Sequence, residues 1–208
     1  MPKYHMGGGN YVATGLNNED QASALHNATS PGDAGNRADH FLGASLDPKW
    51  SWQGTPSGWA YGSSVVTAAG PPAGVHLIET YTPSGAFRVE ARLAAPQTGP
   101  VGLVIRENPG YPTGIETEIY YHSNAVTFNY YAPSSTTVVG QISVGTAAWY
   151  YLAIERDGSN NVTGAFSIDR VGWTNLGTFN LAIAVAVLSI DISTTGQLVS
   201  ADFVDVVS

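Results

Sequence analysis

The feature that most constrains this chain is a two-residue alternation of apolar and polar side chains, repeated in short segments between turn residues. The clearest case is residues 87–93, which read FRVEARL. Successive side chains of a β-strand point to opposite faces, so this alternation is typical of a strand with one buried and one solvated face. The segment therefore predicts a strand in a sheet that is packed on one side.

Similar segments continue to the end of the chain, at spacings of roughly 8 to 12 residues, with Gly, Pro, Asn and Asp between them. The tetrapeptide DGSN at residues 157–160 is typical of a hairpin loop between two strands. No helical periodicity of useful length appears. The pattern predicts an all-β protein, an antiparallel two-sheet jelly-roll β-sandwich with an extended N-terminal arm. The predicted strands are 65–68, 75–81, 87–93, 101–106, 115–122, 125–131, 138–144, 149–156, 161–168, 181–192 and 201–207.

Residues 1–38 differ in composition from the rest of the chain. They are rich in Gly, Asn, Ala and Ser and hold few large apolar side chains, so they cannot bury enough surface to fold alone. Residues 17–20 predict the start of a short helix over 21–26, and residues 31–33 a turn. We expect residues 1–38 to be an extended attachment arm and residues 39–208 to form the sandwich. A disordered leader is the alternative for the arm.

The charge balance excludes two classes of partner. The chain has 16 acidic and 8 basic residues, a formal net charge of −8, and its basic residues are scattered. Binding to nucleic acid needs a basic stripe, and binding to anionic lipid needs a basic cluster. The most apolar stretch, 181–192, is too short and too rich in β-branched residues for a membrane helix. We therefore expect no nucleic-acid partner and no membrane insertion.

Motifs for metals and cofactors are not found in the sequence. The chain contains no cysteine, and its five histidines are isolated rather than paired at ligand spacing. It has no dense acidic loop of the kind that binds calcium, no serine-hydrolase G-x-S-x-G motif and no phosphate-binding loop. The sequence predicts no metal site and no cofactor.

Two segments around the 157–160 loop carry a family pattern. Residues 149–158 read WYYLAIERDG, and residues 169–177 read DRVGWTNLG. This resembles the concanavalin-like, or laminin-G-like, jelly-roll superfamily, in which a strand W-x-x-L-x-I-x-R-D-G leads to a strand ending D-G-x-x-W-x-x-L-G. Arg170 stands where glycine is usual. Residues 39–50 and 200–207 resemble the opening and closing strands of such domains, which pair with each other.

The resemblance covers about residues 39–208 and implies the fold rather than one function. The superfamily includes lectins, glycan-binding modules, glycosidases and structural domains. Some of its glycosidases carry a strand motif E-x-D-x-x-E. Here Glu116 matches the first acid, Glu118 stands for the aspartate, and Tyr121 falls at the proton donor, for which tyrosine is too weak an acid near neutral pH. We expect no catalytic residues and no enzyme activity.

The same strand predicts a binding face. Alternation places Glu116, Glu118, Tyr120 and His122 on one side. Sugar recognition needs flat rings and fixed polar groups, which this strip supplies. The alternative is a solvated polar face on which tyrosines cover the sheet. The candidate carbohydrate-binding residues are Glu116, Glu118, Tyr120, His122, Asn129, Tyr131, Trp52 and Trp173.

These features together predict a non-catalytic binding or attachment protein. A small acidic chain without cysteine, with a Gly-rich arm and no apolar run of signal-peptide length, fits an accessory protein of a phage virion, for decoration or in the tail. We expect synthesis in the cytoplasm, release by lysis and association with the virion. The expected partners are other virion or assembly proteins, through residues 1–38, and a cell-surface polysaccharide. The alternatives are a free-standing lectin-like module and a glycoside hydrolase of the superfamily.

Overall fold

A computed structural model describes residues 4–6, 9–11, 48–54, 58–62, 65–69, 75–80, 85–94, 100–107, 114–145, 147–180, 182, 184–192 and 198–207. The chain divides into two compact units, Met1–Ala38 and Asp39–Ser208. In the first unit, strands β1 (Tyr4–Met6) and β2 (Gly9–Tyr11) pair antiparallel. The helix expected over 21–26, the turn at 31–33 and the opening segment 39–47 lie outside the described residues. The attachment role of the arm stays a prediction.

The second unit is built from strands, and every pairing between them is antiparallel. Within the described ranges no helix is found, and none that is long and apolar enough to cross a membrane. Its strands are β3 (Trp50–Gln53), β4 (Gly58–Gly62), β5 (Val65–Ala69), β6 (Val75–Thr80), β7 (Phe87–Ala94), β8 (Val101–Arg106), β9 (Glu116–His122), β10 (Ala125–Ala132), β11 (Ser135–Ser143), β12 (Trp149–Arg156), β13 (Asn161–Ser167), β14 (Thr174–Asn180), β15 (Val187–Ile192) and β16 (Leu198–Val207).

These strands form two sheets of seven strands each. The first sheet has the order β11-β10-β9-β8-β15-β6-β3, and the second has the order β14-β13-β12-β7-β16-β5-β4. The closing strand β16 pairs with β5 and β7. The expectation of an all-β antiparallel two-sheet sandwich is confirmed.

The hydrophobic core lies between the two sheets. Strand β7 buries every second side chain, as its sequence alternation predicts. Both sheets contribute large apolar side chains that are less than 2% exposed, and each such side chain stabilises the fold by roughly 1.5–3 kcal/mol. They include Leu103, Ile119 and Phe128 from the first sheet and Leu93, Tyr150, Leu152 and Ile154 from the second.

One glycine sets how closely the sheets approach each other. A Cβ atom at Gly164 would lie 2.3 Å from the ring of Phe128, far inside van der Waals contact. Gly164 belongs to β13 of the second sheet and Phe128 to β10 of the first. The missing side chain therefore lets a phenylalanine fill the space between the sheets.

Within the second unit, the strands that the sequence failed to predict lie at sheet edges. Strands β3, β4 and β14 were not predicted, and β14 precedes the strand expected at 181–192, which in the structure begins only at Val187. Strand β11 begins three residues earlier than predicted and is mostly exposed. An edge strand has a neighbour on one side only, so its side chains need not alternate between a buried and a solvated face. Edge strands therefore give a weak sequence signal.

Candidate functional site

The outer face of the first sheet, on the side away from the core, carries most of the candidate residues. In β9, Ile119 and Tyr121 belong to the hydrophobic core. Glu116, Glu118 and Tyr120 alternate with them and therefore project from the opposite face, together with the exposed His122. The expected division of β9 into two faces is what the structure shows.

The pairing of β9 with β10 brings the other two strand residues to the same face. Asn129 lies directly opposite Glu118, and Tyr131 lies directly opposite Glu116. Residues directly opposite each other in an antiparallel pair project from the same side of the sheet. We call the resulting group the outer-face cluster. It consists of Glu116, Glu118, Tyr120, His122, Asn129, Tyr131 and, from β8, Arg106.

A directional chain of hydrogen bonds runs through the cluster. The side-chain amide nitrogen of Asn129 donates to Tyr131 Oη over 2.9 Å, and Tyr131 Oη donates to Glu118 Oε2 over 2.9 Å. A phenol has a single proton, and a carboxylate only accepts. The Tyr131 proton therefore goes to Glu118, and the amide of Asn129 must present N–H to the tyrosine. This fixes which way the amide points.

That orientation leaves an acceptor without a partner. Asn129 is only 4% exposed, and its Oδ1 has no hydrogen-bond partner among the residues that the structure describes. Buried polar atoms in proteins are nearly always paired, so an unpaired one needs an explanation. A hydroxyl or amine of a ligand in the cluster would complete it.

The surroundings of Tyr131 keep its hydroxyl protonated. Burial raises the pKa of Tyr131 most, and the negative charge of Glu118 raises it further, while the hydrogen bond from Asn129 lowers it. The net effect is a pKa well above the ordinary value for tyrosine, near 10. Tyr131 therefore acts as a hydrogen-bond donor to Glu118 throughout the neutral and mildly alkaline range.

Arg106 is a member of the cluster that sequence reasoning missed. It lies directly opposite Glu116, and its Nε donates to Glu116 Oε2 over 2.5 Å. The two side chains are 3% and 11% exposed, so this is a buried ion pair. The sequence did contain one sign of a buried ion pair, because the charged Arg106 directly follows the apolar residues VGLVI. That Glu116 is the partner of Arg106 could not be read from the sequence, because it depends on the register between β8 and β9.

Gly102 makes room for Glu118 and Tyr120. It pairs with Tyr120 across β8 and β9. A Cβ atom at Gly102 would lie 2.9 Å from the Cβ of Tyr120 and 3.1 Å from Glu118 Oε1. Both contacts are tighter than ordinary packing allows, so a glycine here lets the Glu118 carboxylate lie close to the sheet.

The third position of the glycosidase motif lies on the other face of β9. Tyr121 is 4% exposed, its ring stacks on Tyr150 with centroids 4.5 Å apart, and its hydroxyl donates to Asn124 Oδ1 over 3.0 Å. The pairings of β9 with β8 and β10 show no register shift. An odd spacing along a regular strand changes face, so residue 121 cannot join Glu116 on the outer side.

Two candidate residues, Trp52 and Trp173, lie away from the cluster, and a role for them in ligand binding stays a prediction. Trp52 is on β3, at the far edge of the first sheet from β10, and it packs partly buried against the core. Trp173 follows the second sheet's β13, and its ring lies under the Arg88 guanidinium at 4.4 Å. Its Nε1 donates to the backbone oxygen of Arg170 over 3.2 Å. Both tryptophans are held by packing that the sequence alone did not reveal.

The segment that carries the family pattern builds a turn. The Asp169 carboxylate accepts from the backbone N–H groups of Gly172 and Val171 over 2.8 and 2.9 Å and from the Ser167 hydroxyl over 2.9 Å. These bonds lower the pKa of Asp169, that from Gly172 most. Arg170 has φ 62°, in the left-handed region, which explains why glycine is usual there. Asp169 thus shapes the loop that holds Trp173.

Among the residues that the structure describes, no group of three or more His, Cys, Asp or Glu side chains is placed to hold a metal ion.

No protein-family model matches the sequence, and no curated protein matches it significantly. The fold, in contrast, is similar to that of many solved structures.

Three of these structures illustrate the kinds of protein that share the fold. The GH43 protein BlXynB from Bacillus licheniformis has a TM-score of 0.64 at 11% identity, over 84% of this chain and 39% of that one. The carbohydrate binding module CBM66 from Bacillus subtilis has a TM-score of 0.57 at 12% identity, over 77% and 96%. The CBM2 module of the evolved Dit of Lactobacillus casei BL23 phage J-1 has a TM-score of 0.59 at 8% identity, over 81% and 93%.

These likenesses establish the fold of the chain. At such low identities they carry no residue-level information, and the chain spans about two fifths of the length of the GH43 protein. The likenesses agree with the expected antiparallel two-sheet β-sandwich.

Proposed function

We propose that the sandwich is a non-catalytic carbohydrate-binding module and that the chain is an accessory or attachment protein of a phage virion. The observation that carries the binding part is the hydrogen-bond chain from Asn129 through Tyr131 to Glu118, which leaves Asn129 Oδ1 as a buried acceptor without a partner among the described residues. Carbohydrate modules with this fold support the same conclusion.

The chemistry of the cluster suits a sugar. Pyranose rings present apolar C–H faces and a rim of hydroxyls, so a site needs aromatic surface beside fixed polar atoms. Tyr120 and Tyr131 are partly exposed on the same face and supply the rings. Asn129 Oδ1 and the Glu118 carboxylate supply acceptors whose positions are fixed by Tyr131.

Two contacts support a binding rather than a catalytic role. A retaining glycosidase needs one carboxylate as nucleophile and one protonated acid beside it. Here Glu116 is held in a buried ion pair with Arg106, and the motif's proton-donor position is Tyr121, inside the core. A glycoside hydrolase remains the second candidate, because Glu116 and Glu118 do project from the same face of β9.

The virion part of the proposal is supported by two observations. The fold is shared with a module of a phage Dit protein. Residues 1–38 form a separate unit with a Gly- and Asn-rich sequence, which suits a segment that binds other virion proteins. The polysaccharide partner would then be on the cell surface of the host.

The experiment that tests the binding proposal is a panel of polysaccharides presented to the full-length protein, with binding and sugar release measured together. The variant Tyr120→Ala/Tyr131→Ala is compared with Trp149→Phe, an aromatic change in β12 of the other sheet. Binding without release, lost in the double variant only, supports the proposal. Release that disappears in Glu116→Gln and Glu118→Gln supports the hydrolase, and no binding to any polysaccharide overturns the carbohydrate proposal.

A second experiment tests the arm. Removal of residues 1–38 is expected to leave polysaccharide binding unchanged and to abolish association with phage particles from the producing lysate. A truncated chain that still sediments with the particles would show that the sandwich itself makes the virion contact.

A further inference from the structure

The pairing of β10 with β11 contains a β-bulge next to the buried amide of Asn129. Phe128 lies opposite Gly140 in the register of the two strands. The next residue of β10, Asn129, lies opposite Val138, which leaves Val139 as an extra residue on β11. A bulge changes which side chain faces the neighbouring strand, and bulges are frequent beside functional sites. Here the bulge puts Val138, rather than Val139, directly opposite Asn129.

The two valines at the bulge have different surroundings. Val139 packs against the hydrophobic core, whereas Val138 is 60% exposed. Residues directly opposite each other in an antiparallel pair project from the same side of the sheet, so Val138 lies on the outer face beside Asn129. A single exposed valine is common and by itself indicates no site. This one adjoins a buried acceptor that has no partner among the described residues.

The acceptor beside Val138 is also fixed in direction. The side-chain amide nitrogen of Asn129 donates to Tyr131 Oη over 2.9 Å, so the amide cannot turn its oxygen away without losing that bond. A ligand with a hydrogen-bond donor for Oδ1 and an apolar group beside that donor would match both the amide and the valine. A ligand with hydroxyl groups alone would satisfy Oδ1 but would place polar atoms against the valine side chain.

An acetamido group on a sugar has this combination of features. Its amide bond is planar and trans, so the N–H points away from the carbonyl oxygen and lies on the same side of the bond as the methyl group. The group therefore presents a donor and a methyl along one edge. A sugar hydroxyl presents a donor without the methyl.

We infer that the outer face of the first sheet recognises N-acetylated amino sugars. Asn129 Oδ1 accepts from the acetamido N–H, and Val138 contacts the acetamido methyl group. The partly exposed rings of Tyr120 and Tyr131 lie on the same face and are available to the sugar ring. Val138 is the residue that determines this specificity. The inference rests on the proposed carbohydrate-binding function and names its ligand class.

The test compares three oligosaccharides that differ only in the substituent at one carbon of each sugar. They are oligomers of N-acetylglucosamine, N-formylglucosamine and glucose with the same linkage and length, and the N-formyl oligomer keeps the amide donor but lacks the methyl group. All three are uncharged, so the net charge of −8 favours none of them. Calorimetry with the full-length protein is expected to show the N-acetyl oligomer bound about three- to tenfold more tightly than the others, because burial of one methyl group contributes a factor of this order.

A pair of matched variants isolates the valine contact. Val138→Thr keeps the shape of the side chain and replaces a methyl by a hydroxyl, so the ratio of N-acetyl to N-formyl affinity is expected to fall close to one. Val171→Thr is the control, because Val171 is 85% exposed in the loop between β13 and β14 of the second sheet. It is expected to leave the ratio unchanged. Equal denaturation midpoints for wild type and both variants establish that the variants are folded.

The outcomes distinguish this inference from the function on which it rests. Equal wild-type affinities for the N-acetyl and N-formyl oligomers, or equal effects of the two valine variants, would overturn recognition of the acetamido group while carbohydrate binding stands. Tighter binding to the glucose oligomer, or to a polymer of 6-deoxy sugars, has the same meaning. A protein that binds no polysaccharide overturns both. An affinity ratio that falls only in Val138→Thr supports the inference.

Discussion

The outer faces of the two sheets carry similar residues but differ in how those residues are used. On the second sheet, Arg88 donates to Glu90 over 2.7 Å and to Glu155 over 2.9 Å, and it lies over the ring of Trp173. Arg170 completes the group with a 2.9 Å bond to Glu90. On the first sheet, in contrast, Asn129 Oδ1 has no hydrogen-bond partner in the part of the chain that the structure describes.

The difference arises from a loop. Residues 168–173 connect β13 to β14, and their Arg170 and Trp173 contact Glu90 and Arg88 on the outer side of the second sheet. Ala153, which lies opposite Glu90 on the same face, is only 1% exposed. Charged and aromatic side chains on a strand face therefore do not by themselves indicate a binding site. Such a face becomes a candidate site when a buried polar atom on it has no hydrogen-bond partner among the described residues.

Replacement of an arginine should show the largest difference in stability between the outer faces of the two sheets. Arg106→Met removes the positive charge from the buried ion pair with Glu116 and is expected to lower the free energy of unfolding by about 3–5 kcal/mol. Arg170→Met on the second sheet breaks a partly exposed pair and should cost about 0–1 kcal/mol. Urea denaturation measures both. Similar costs for the two variants would show that the first-sheet pair is not effectively buried.

The next largest effect is on stability at alkaline pH, and it comes from Tyr131 of the first sheet. Because the folded state raises the pKa of Tyr131, folding keeps a proton that the unfolded chain releases above pH ~10, so stability falls as the pH rises through that range. Tyr131→Phe should flatten this fall by on the order of 1 kcal/mol, discounted because the side chain is partly exposed. Denaturation midpoints from pH 9 to 11 measure it; an unchanged slope would contradict the prediction. Tyr150, whose pKa is also raised, leaves a residual slope in the variant.

A smaller effect is expected at the strained residue of the second-sheet loop. Arg170→Ala loses the bond to Glu90 and keeps a side chain in the left-handed region, whereas Arg170→Gly loses the same bond and removes the strain. The glycine variant should be more stable than the alanine variant by about 1 kcal/mol. If alanine is as stable as glycine in chemical denaturation, the left-handed conformation is not a cost at this position.

The smallest effect is on stability at acid pH, and it comes from Asp169 in the loop between β13 and β14. Hydrogen bonds lower the folded-state pKa of Asp169, so its contribution is present above the ordinary aspartate pKa, near 3.9, and is lost as the pH falls through the lowered value. Asp169→Asn should make the denaturation midpoint less sensitive to pH in that acid range, without affecting the alkaline slope. A variant that follows the wild-type acid curve would show that Asp169 contributes nothing there.

Much of the sandwich could be predicted from the sequence, because its central strands are marked by side-chain pattern. The bounds of β8 and β12 match the prediction, and the outward face of β9 was assigned correctly. Strand β14, with the sequence TNLGTFN, was missed, since its side chains are mostly exposed and it pairs with β13 through a register shift. The outer-face cluster was predicted in part, because the candidate residues of β9 and β10 do share one face but Arg106 was not among them. Ligand binding by these residues stays a prediction.

The sequence by itself determined the all-β class and the strands at the centre of each sheet. It also determined which side chains of β7 and β9 share a face, because side chains alternate between the two faces along any strand. Only the tertiary structure decided which strands are neighbours, and hence that Arg106 meets Glu116 and Asn129 meets Glu118. It also decided that Trp173 lies against Arg88, because a loop can fold over a sheet in ways that its own residues do not specify. Register and loop placement depend on contacts between residues far apart in the chain, which no local pattern encodes.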